Sequence, residues 1–131
     1  MSNSEVKLRP ATMSDLAGIK GVIISNGREG NGQHDAWWEQ RMEAESVIVA
    51  EADGQIVGVG AIDLHVSQIT HIYVSQERHR AGIGSTLLKA LEDMAQRAGR
   101  SAIRLDSTAE AFDFYRKNGY RIRGAVPMIK P

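Results

Sequence analysis

A glycine-containing connection lies past the middle of the chain and reads, from position 74 to 86, Val74-Ser75-Gln76-Glu77-Arg78-His79-Arg80-Ala81-Gly82-Ile83-Gly84-Ser85-Thr86. It joins a predicted strand, Ile69–Val74, to a predicted helix, Gly84–Ala98. Glycines let a ligand approach the backbone, and the free N–H groups and dipole of a helix N-terminus favour an anion. The three basic residues at positions 78–80 add positive charge, and Ser85 or Thr86 offers a hydroxyl. The segment therefore predicts a phosphate-binding loop.

Two well-known phosphate-binding motifs are excluded by the residues that follow the glycines. A P-loop requires Gly-Lys-Ser or Gly-Lys-Thr, and no Lys follows Gly82 or Gly84 in that way. A Rossmann fingerprint requires a third glycine or alanine at the position that Leu87 occupies, and it follows the first strand of a parallel unit rather than a series of hairpins. Since Gly-x-Gly alone is a weak signal, a tight strand–helix connection without a ligand is the alternative.

Outward from this segment, hydrophobic periodicity and turn residues predict the element order β-α-α-β-β-β-α-β-α-β-β. The predicted strands are Val6–Arg9, Ser46–Ala50, Gln55–Leu64, Ile69–Val74, Ala102–Leu105, Tyr120–Arg123 and Val126–Lys130. The first predicted helix begins at the capping-box pair Thr12 and Asp15 and ends before Asn26. The second and third run from Ala36 to Ala44 and from Gly84 to Ala98. The fourth begins at the capping-box pair Ser107 and Glu110 and ends near Asn118. Residues 26–35 hold three glycines and no apolar residue, which is typical of a loop.

The arrangement of these elements indicates a fold class. The strand–helix–strand unit from Ile69 to Leu105 implies two parallel strands joined by a right-handed crossover. The hairpin signals on either side, such as Asp53-Gly54, imply antiparallel strands. The prediction is a mixed α/β (α+β) fold in which helices cover the faces of a mixed sheet.

Length and composition narrow the class of protein. A chain of 131 residues is predicted to form one domain spanning positions 1–131. The absence of cysteine excludes disulfides, thiolate metal sites and a cysteine nucleophile. The 16 basic residues balance 16 acidic ones, which argues against a nucleic-acid partner. No apolar run approaches the ~20 residues of a membrane span and the first residues are no signal peptide, so a cytoplasmic protein without a membrane partner is expected.

Three blocks of sequence carry a resemblance to a known family. The glycine segment resembles the acyl-CoA pyrophosphate loop of the GNAT superfamily of N-acetyltransferases, whose motif is Gln/Arg-x-x-Gly-x-Gly/Ala and whose first position is here His79. The block Ala111-Phe112-Asp113-Phe114-Tyr115-Arg116-Lys117-Asn118-Gly119-Tyr120 resembles the family's late Ala-x-x-x-Tyr-x-x-x-Gly-Phe/Tyr segment, with Thr108 where an Asn often stands. The opening Leu8-Arg9-Pro10-Ala11-Thr12 is also similar to many members. The blocks occur in the expected order, so their joint signal is more specific than any one of them.

The resemblance implies a fold and an activity. It implies a GNAT-like central mixed, mostly antiparallel sheet with helices on both faces, whose strands splay apart at the cofactor cleft. The implied reaction is acetyl transfer from acetyl-CoA, as cosubstrate and without a metal, to a primary amine of a small molecule or a peptide, by direct attack in a ternary complex. A homodimer stays open. The alternatives are a non-catalytic acyl-CoA-binding module of the same fold, and an unrelated α+β protein that binds another phosphorylated ligand.

The resemblance also assigns roles to residues. Tyr115 matches the position that commonly protonates the departing thiolate, and a phenol with a pKa of ~10 is a competent acid for that step. His71 is the candidate general base, with Asp63 and His65 as competitors, because a His titrates near physiological pH. The implied acetyl-CoA contacts are Ile72, Tyr73, Val74, Arg78, His79, Arg80, Ala81, Gly82, Ile83, Gly84, Ser85 and Thr86.

The first two helices and their connection supply the candidates for acceptor recognition. Of Trp37 and Trp38, one is expected in the core and the other in the core or the acceptor pocket. Glu29, His34 and Asp35 are candidates for recognising a cationic acceptor, with a solvated loop as the alternative.

Overall fold

The computed structural model describes residues 6–27, 35–79, 82–123, 128 and 130. Its strands are β1 (Lys7–Pro10), β2 (Ser46–Ala52), β3 (Gln55–Asp63), β4 (Gln68–Val74) and β5 (Arg104–Leu105). Its helices are α1 (Leu16–Ser25), α2 (Asp35–Ala44), α3 (Ile83–Arg97) and α4 (Phe112–Lys117), with 3₁₀ turns at Met13–Asp15 and Gln76–Arg78. Within the described part of the chain, no helix is both long and apolar enough to span a membrane.

The five strands form one sheet in which neighbours along the chain are neighbours in space, in the order β1-β2-β3-β4-β5. The first four strands are antiparallel, and β5 runs parallel to β4 after the crossover through α3. The parallel pairing is short, because only Gln68 and Ile69 of β4 have partners on β5. The predicted mixed, mostly antiparallel sheet is therefore confirmed, and so is the predicted parallel pair.

Helices cover the two faces of the sheet over separate apolar cores. On one face, α1 and α2 bury Ile19 and Trp38 against β2 and β3. On the other, the predicted apolar stripe of α3 is buried, with Leu87 and Leu91 both fully inaccessible to solvent. Gly58 on β3 lets α3 lie close to the sheet, since a Cβ at that position would stand 3.0 Å from Leu87 Cδ1. The start of α3 is thereby held against the middle of the sheet.

The predicted capping pair, Thr12 and Asp15, lies directly before the start of α1. The Asp15 carboxylate accepts a hydrogen bond from the Thr12 backbone N–H at 2.8 Å and two from the Arg9 guanidinium, each at 2.9 Å. These bonds favour the ionised carboxylate and hold the pKa of Asp15 down to about 2. Arg9 also donates to Glu51 at 3.0 Å, so the same guanidinium joins the helix entrance to β2.

A β-bulge changes the direction of the side chains midway along β4. The pairing register skips Thr70 between the pairs formed by its two neighbours. Ile69 and Ile72 consequently both pack toward α3, although a spacing of three would place them on opposite faces of a regular strand. Thr70 and His71, adjacent in sequence, both lie toward α2. The bulge thus brings two consecutive polar side chains to one face of the sheet.

Two sequence predictions about the C-terminal part are wrong. The predicted capping pair Ser107 and Glu110 does not start a helix, because Thr108 Oγ1 instead accepts the Ala111 N–H at 3.2 Å and α4 begins only at residue 112. The predicted strand Tyr120–Arg123 is not formed. Its Ile122 is 62% exposed rather than facing a core, and the Tyr120 hydroxyl is turned to Glu92 of α3, at 2.8 Å.

Other predictions fall partly or wholly outside the described residues. Most of the predicted strand Val126–Lys130 lies outside them, and so do positions 28–34 of the predicted loop. The predicted strand Ala102–Leu105 shortens to its last two residues. The Ala102 carbonyl instead accepts a hydrogen bond from the Ser67 hydroxyl of the preceding turn.

Candidate active site

Among the residues that the structure describes, one edge of β4 has no partner strand from residue 70 onward. The Ser75 N–H donates to Val57 O of β3 at 2.8 Å. Because residues of an antiparallel ladder direct their backbone groups alternately to the two sides, Tyr73 faces β3 while Ile72 and Val74 direct theirs to the opposite, open edge. Of the three strand residues predicted to offer backbone groups, Ile72 and Val74 therefore do so, and Tyr73 does not.

The carbonyl at the end of this edge is already occupied. Val74 O accepts hydrogen bonds from Asn26 Nδ2 at 2.7 Å and from His79 Nε2 at 3.0 Å. A carbonyl only accepts, so His79 carries a proton on Nε2. His79 thus binds the strand end with its side chain, and it fixes the position of the connection that leads to α3.

The N-terminus of α3 faces the same opening. Gly82 precedes the helix with a left-handed backbone, φ +81°, which glycine adopts without steric cost. The first bond of the helix runs from Thr86 N–H to Gly82 O at 3.1 Å, so the N–H groups of Ile83, Gly84 and Ser85 have no partner within the helix. Three such donors and the positive end of a helix dipole are suited to an anion.

A cleft of about 880 Å³ connects the open strand edge, the start of α3 and the start of α4. Its lining comprises Asn26, Ile69–Val74, Gln76, Arg78, His79, Gly82–Ser85, Leu105, Asp106, Thr108, Glu110, Ala111, Phe114 and Tyr115. A volume of this order is within the range of ligand-binding clefts. Nine of the residues predicted from the loop and the strand line it: Ile72, Tyr73, Val74, Arg78, His79, Gly82, Ile83, Gly84 and Ser85.

Tyr115 lines the cleft from α4. Its ring packs edge-on against Phe114 and Tyr120, with ring centres 5.1 Å and 5.7 Å away. The Tyr120 hydroxyl donates to Glu92, whereas the Tyr115 hydroxyl has no hydrogen-bond partner among the described residues. Burial, and to a lesser extent Tyr73, raise the pKa of the Tyr115 phenol, so this group stays protonated at neutral pH.

His71 lines the cleft from β4, on the side of α2. Its ring lies within about 6 Å of three aromatic rings, with centre distances of 6.0 Å to Trp37, 5.9 Å to Trp38 and 6.2 Å to Tyr73. Burial lowers the pKa of His71, and the carboxylate of Glu45 partly opposes that effect. The imidazole is therefore neutral at pH 7 and able to accept a proton.

Several predicted candidates lie elsewhere. Thr86 is not among the cleft residues, and its hydroxyl donates to Gly82 O at 2.9 Å. Asp63 accepts the His65 N–H at 3.0 Å, and neither residue lines the cleft. Asp35 pairs with Lys20 at 2.8 Å. Arg80, Ala81, Glu29 and His34 lie outside the described residues.

The two tryptophans have different environments. Trp38 is 1% exposed and belongs to the core beneath α2, as predicted for one of the pair. Trp37 is half-buried, contacts the His71 ring, and has the Arg41 guanidinium 5.6 Å from its ring centre. Trp37 is not part of the cleft lining.

Sequence reasoning missed Asn26, Thr70 and Glu45. Asn26 reads as an ordinary turn residue, and only the fold brings it to the end of β4. Thr70 reads as one of several β-branched residues in a strand, and Glu45 reads as a polar residue between a helix and a strand. Their contact depends on the bulge in β4, which leaves no recognisable signal in a single sequence.

Comparison with known proteins decides the family. A family model described as an acetyltransferase (GNAT) domain matches residues 28–126, three quarters of the chain. The chain belongs to the GNAT acetyltransferase family. The predicted resemblance is confirmed, and at the level of the family so is the predicted class of enzyme, an acyltransferase.

Two curated relatives and one solved structure illustrate the relationship of this GNAT chain to known proteins. It is 31% identical over 86 residues to the uncharacterized N-acetyltransferase YjcF of Bacillus subtilis (strain 168), covering 64% of this chain and 61% of that protein. It is 33% identical over 84 residues to the IAA acetyltransferase of Azospirillum brasilense, covering 59% and 55%. The matches therefore span about three fifths of the length of these relatives.

The solved structure supports the fold. It is the aminoglycoside N-acetyltransferase AAC(6')-Iy in complex with CoA, which aligns with a TM-score of 0.79 at 17% identity over 99% of this chain and 97% of that one. The agreement extends over nearly the full length of both chains, so the GNAT fold holds beyond the matched sequence.

The lowered pKa of His71 predicts a pH dependence of stability. The unfolded chain takes up a proton at its ordinary pKa of about 6.5, whereas the folded chain resists it, so the free energy of unfolding falls as the pH drops below 6.5. The slope for one proton is at most about 1.4 kcal/mol per pH unit. Urea unfolding between pH 7 and 5 measures the slope of the free energy of unfolding against pH. In His71→Gln this slope is expected to be smaller.

The matched control is His65→Gln, which removes an exposed imidazole on a turn and leaves the slope in place. Asp15 does not interfere, because its contribution is lost only below its ordinary pKa of 3.8. An unchanged slope in His71→Gln contradicts the burial of a neutral imidazole at this position.

Proposed function

We propose that this chain transfers an acetyl group from acetyl-CoA to a primary amine of a small molecule or a peptide, by direct attack in a ternary complex. The observation that carries the proposal is the convergence of three groups on one cleft: the open edge of β4, the N-terminus of α3 and the protonated phenol of Tyr115. Membership of the GNAT acetyltransferase family supports the same reading.

The described residues fit an acyl-CoA. The N–H and C=O of Ile72 and the N–H of Val74 suit the amide groups of an extended arm, which would add to the edge of the sheet as a further strand does. The three N–H groups at the start of α3 that have no partner within the helix suit a pyrophosphate. A neighbour of the same fold is solved in complex with CoA. Arg80 and Ala81 are assigned to the same loop from the sequence alone.

The charge at the loop is a local feature of a chain whose formal net charge is zero. Arg78 lines the cleft and pairs with Asp53 at 3.6 Å, which orients it on the side of the β2–β3 hairpin. Asp106 and Glu110 line the same cleft near α4. The phosphates therefore belong at the α3 end of the cleft, away from the carboxylates at the α4 end.

In the proposed reaction the amine nitrogen bonds to the thioester carbonyl carbon, the carbon–sulfur bond breaks, and one proton passes from the amine to a base while another reaches the thiolate. Tyr115 supplies the proton to the thiolate. The raised pKa of its phenol makes it a weaker acid than free tyrosine, but burial in the same cleft disfavours the thiolate anion as well. The transfer moves the negative charge from the sulfur to the phenol oxygen, which regains a proton from solvent before the next turnover.

His71 accepts the amine proton. It is neutral at pH 7, lies on the strand that holds the cofactor edge, and approaches the cleft from the α2 side. An amine with a lysine-like pKa of ~10.4 is mostly protonated at neutral pH, so only its minor neutral form reacts until a base or water removes the proton.

The acceptor is assigned as a class only. Two similar proteins are named as an IAA acetyltransferase and an aminoglycoside N-acetyltransferase. A panel of polyamines, aminoglycosides, amino acids and peptides, assayed for CoA release with a thiol reagent, tests the proposal. The chain contains no cysteine, so the reagent has no protein background. Release with at least one amine is expected; tight acetyl-CoA binding with no release from any amine favours the non-catalytic module.

Gly84 tests the pyrophosphate site with a matched pair of substitutions. A Cβ at Gly84 would lie at an ordinary contact distance of 3.5 Å from the Phe114 ring, so a side chain is tolerated there. Gly84→Asp and Gly84→Asn add nearly the same bulk, but only Asp adds a negative charge. By calorimetry, Gly84→Asp is expected to bind CoA at least ~10-fold more weakly than Gly84→Asn, since like charges ~4 Å apart near a protein surface cost a few kcal/mol. Equal affinities for the two variants contradict an anion at this position.

Tyr115→Phe tests the general acid. It removes one hydroxyl and keeps the ring in its contacts with Phe114 and Tyr120, so folding and KM for acetyl-CoA change little. The expected fall in kcat is roughly 10²–10⁴-fold, at the low end if water substitutes. The matched control is Tyr120→Phe, whose hydroxyl is bound to Glu92 and which keeps most of its kcat. A full kcat in Tyr115→Phe, with chemistry limiting the rate, makes Tyr115 a structural aromatic.

A further inference from the structure

A buried carboxylate lies behind the candidate base and has no role in the reaction as described so far. We propose that Glu45 and Thr70 form a hydrogen-bonded chain that fixes His71 in the tautomer whose Nε2 accepts the amine proton. The two are positioning residues, and the proposal rests on the proposed function for the step they serve. The chain runs from the Glu45 carboxylate to the Thr70 hydroxyl and from there to His71 Nδ1.

The bulge in β4 makes this chain possible. In a regular strand the side chains of residues 70 and 71 would point to opposite faces of the sheet. The extra residue at Thr70 turns both side chains toward α2, and Glu45 is the first residue of the polypeptide after that helix. Bulges commonly re-aim a side chain next to an active site in this way.

Counting protons along the chain fixes the tautomer. The close contact between Thr70 Oγ1 and Glu45 Oε1 requires a proton between the two oxygens, and the threonine hydroxyl supplies it. A hydroxyl has one proton, so at its contact of 3.2 Å with His71 Nδ1 the oxygen accepts and Nδ1 donates. A neutral imidazole then carries no proton on Nε2. Nε2 has no hydrogen-bond partner among the described residues, and His71 lines the cleft.

The charged groups around His71 determine how well it holds a proton. The Glu45 side chain is only 3% exposed, so its negative charge acts on the imidazole with little screening by solvent. Arg41 pairs with Glu45 Oε2 at 3.2 Å and offsets part of that charge. Tyr73, on the same strand, is a further titratable group that faces His71, with its ring centre 6.2 Å away. The net result is an imidazole that is neutral at rest and whose protonated form lies near a carboxylate.

A purely structural role makes a different prediction. In that case Glu45 would only stabilise the end of α2 through its ion pair with Arg41, and the Thr70 hydroxyl would have no function, so that any small β-branched residue could replace Thr70. Removing its hydroxyl would change neither the protonation of the imidazole nor the rate. The first substitution that separates the two roles is therefore one that removes the Thr70 hydroxyl. The second is one that removes the charge of the Glu45 carboxylate.

The tautomer is measured first, in the free chain labelled with ¹⁵N-histidine. At pH 7 the nuclear magnetic resonance spectrum is expected to show His71 with a protonated Nδ1 and an unprotonated Nε2. Thr70→Ser keeps the hydroxyl and this pattern, and Thr70→Val, which matches threonine in shape, loses it. A His71 that carries its proton on Nε2 in the unsubstituted chain overturns the proposal, whatever the catalytic activity.

Kinetics then test the positioning role with the best amine of the panel. Thr70→Val is expected to lower kcat at least ~10-fold with little change in KM for acetyl-CoA, within the ~10²–10⁴-fold that a general base contributes. Thr70→Ser, which keeps the hydroxyl, is expected to keep most of the unsubstituted kcat. Glu45→Gln removes the charge that favours the imidazolium, so the acidic limb of the kcat profile moves to lower pH. An unchanged kcat in Thr70→Val overturns the role of the chain.

The two readouts separate this proposal from the proposed function. If no amine is acetylated, the proposed function fails, and the hydrogen-bonded chain is still decided by the tautomer and by the titration of His71 in Glu45→Gln. If amines are acetylated at equal rates by Thr70→Val and the unsubstituted chain, the proposed function stands and the positioning proposal fails.

Discussion

The open edge of β4 is the constraint on which the rest of the site depends. A strand with no neighbour leaves backbone N–H and C=O groups that must find partners elsewhere. Here β5 pairs with the first two residues of β4 and then departs, so the remaining edge faces a cleft. One of its carbonyls, Val74 O, accepts hydrogen bonds from Asn26 and His79, and the N–H and C=O of Ile72 have no partner strand among the described residues.

The parallel crossover places the proposed anion site at the end of this edge. In a strand–helix–strand unit the helix starts just beyond the carboxyl end of the first strand, where ligands of α/β sheets commonly bind. α3 starts there with three N–H groups that have no partner within the helix, and the absence of a side chain at Gly58 holds it against the sheet. The edge proposed to bind the cofactor's amides and the helix terminus proposed to bind its phosphates are thus consequences of one topological feature.

Around the bulge at Thr70, the side chains on the two faces of β4 have different surroundings. Ile72 and Val74 point toward α3 and support the cofactor side, while His71 points toward α2 and Trp37. A regular alternation would have set Thr70 on the opposite face from His71 and left Glu45 a buried carboxylate without that hydroxyl. The side chain that holds the candidate base is therefore specified by one inserted residue.

The strongest sequence predictions are those with long periodic patterns. The stripe of α3 and the glycine connection before it are clear in the sequence, because leucine spacing and helix-start glycines act locally. The bulge, the Glu45 contact and the Asn26 contact depend on residues that are distant in the chain or on pairing register, so local patterns do not reveal them. The false capping signal at Ser107 shows the same limit, since the Ser107 hydroxyl donates to Thr108 O and Thr108 Oγ1 accepts the Ala111 N–H instead.

A titration of the ¹⁵N-labelled chain with CoA, followed by its backbone amide signals, tests the central claim most directly. The open-edge account predicts progressive shifts at Ile72 and Val74 and at residues 83–85. It also predicts no change around the separate cleft lined by Arg9 and Glu51. Shifts centred on that second cleft, or no shifts at β4 and the start of α3 under a large excess of CoA, would contradict it.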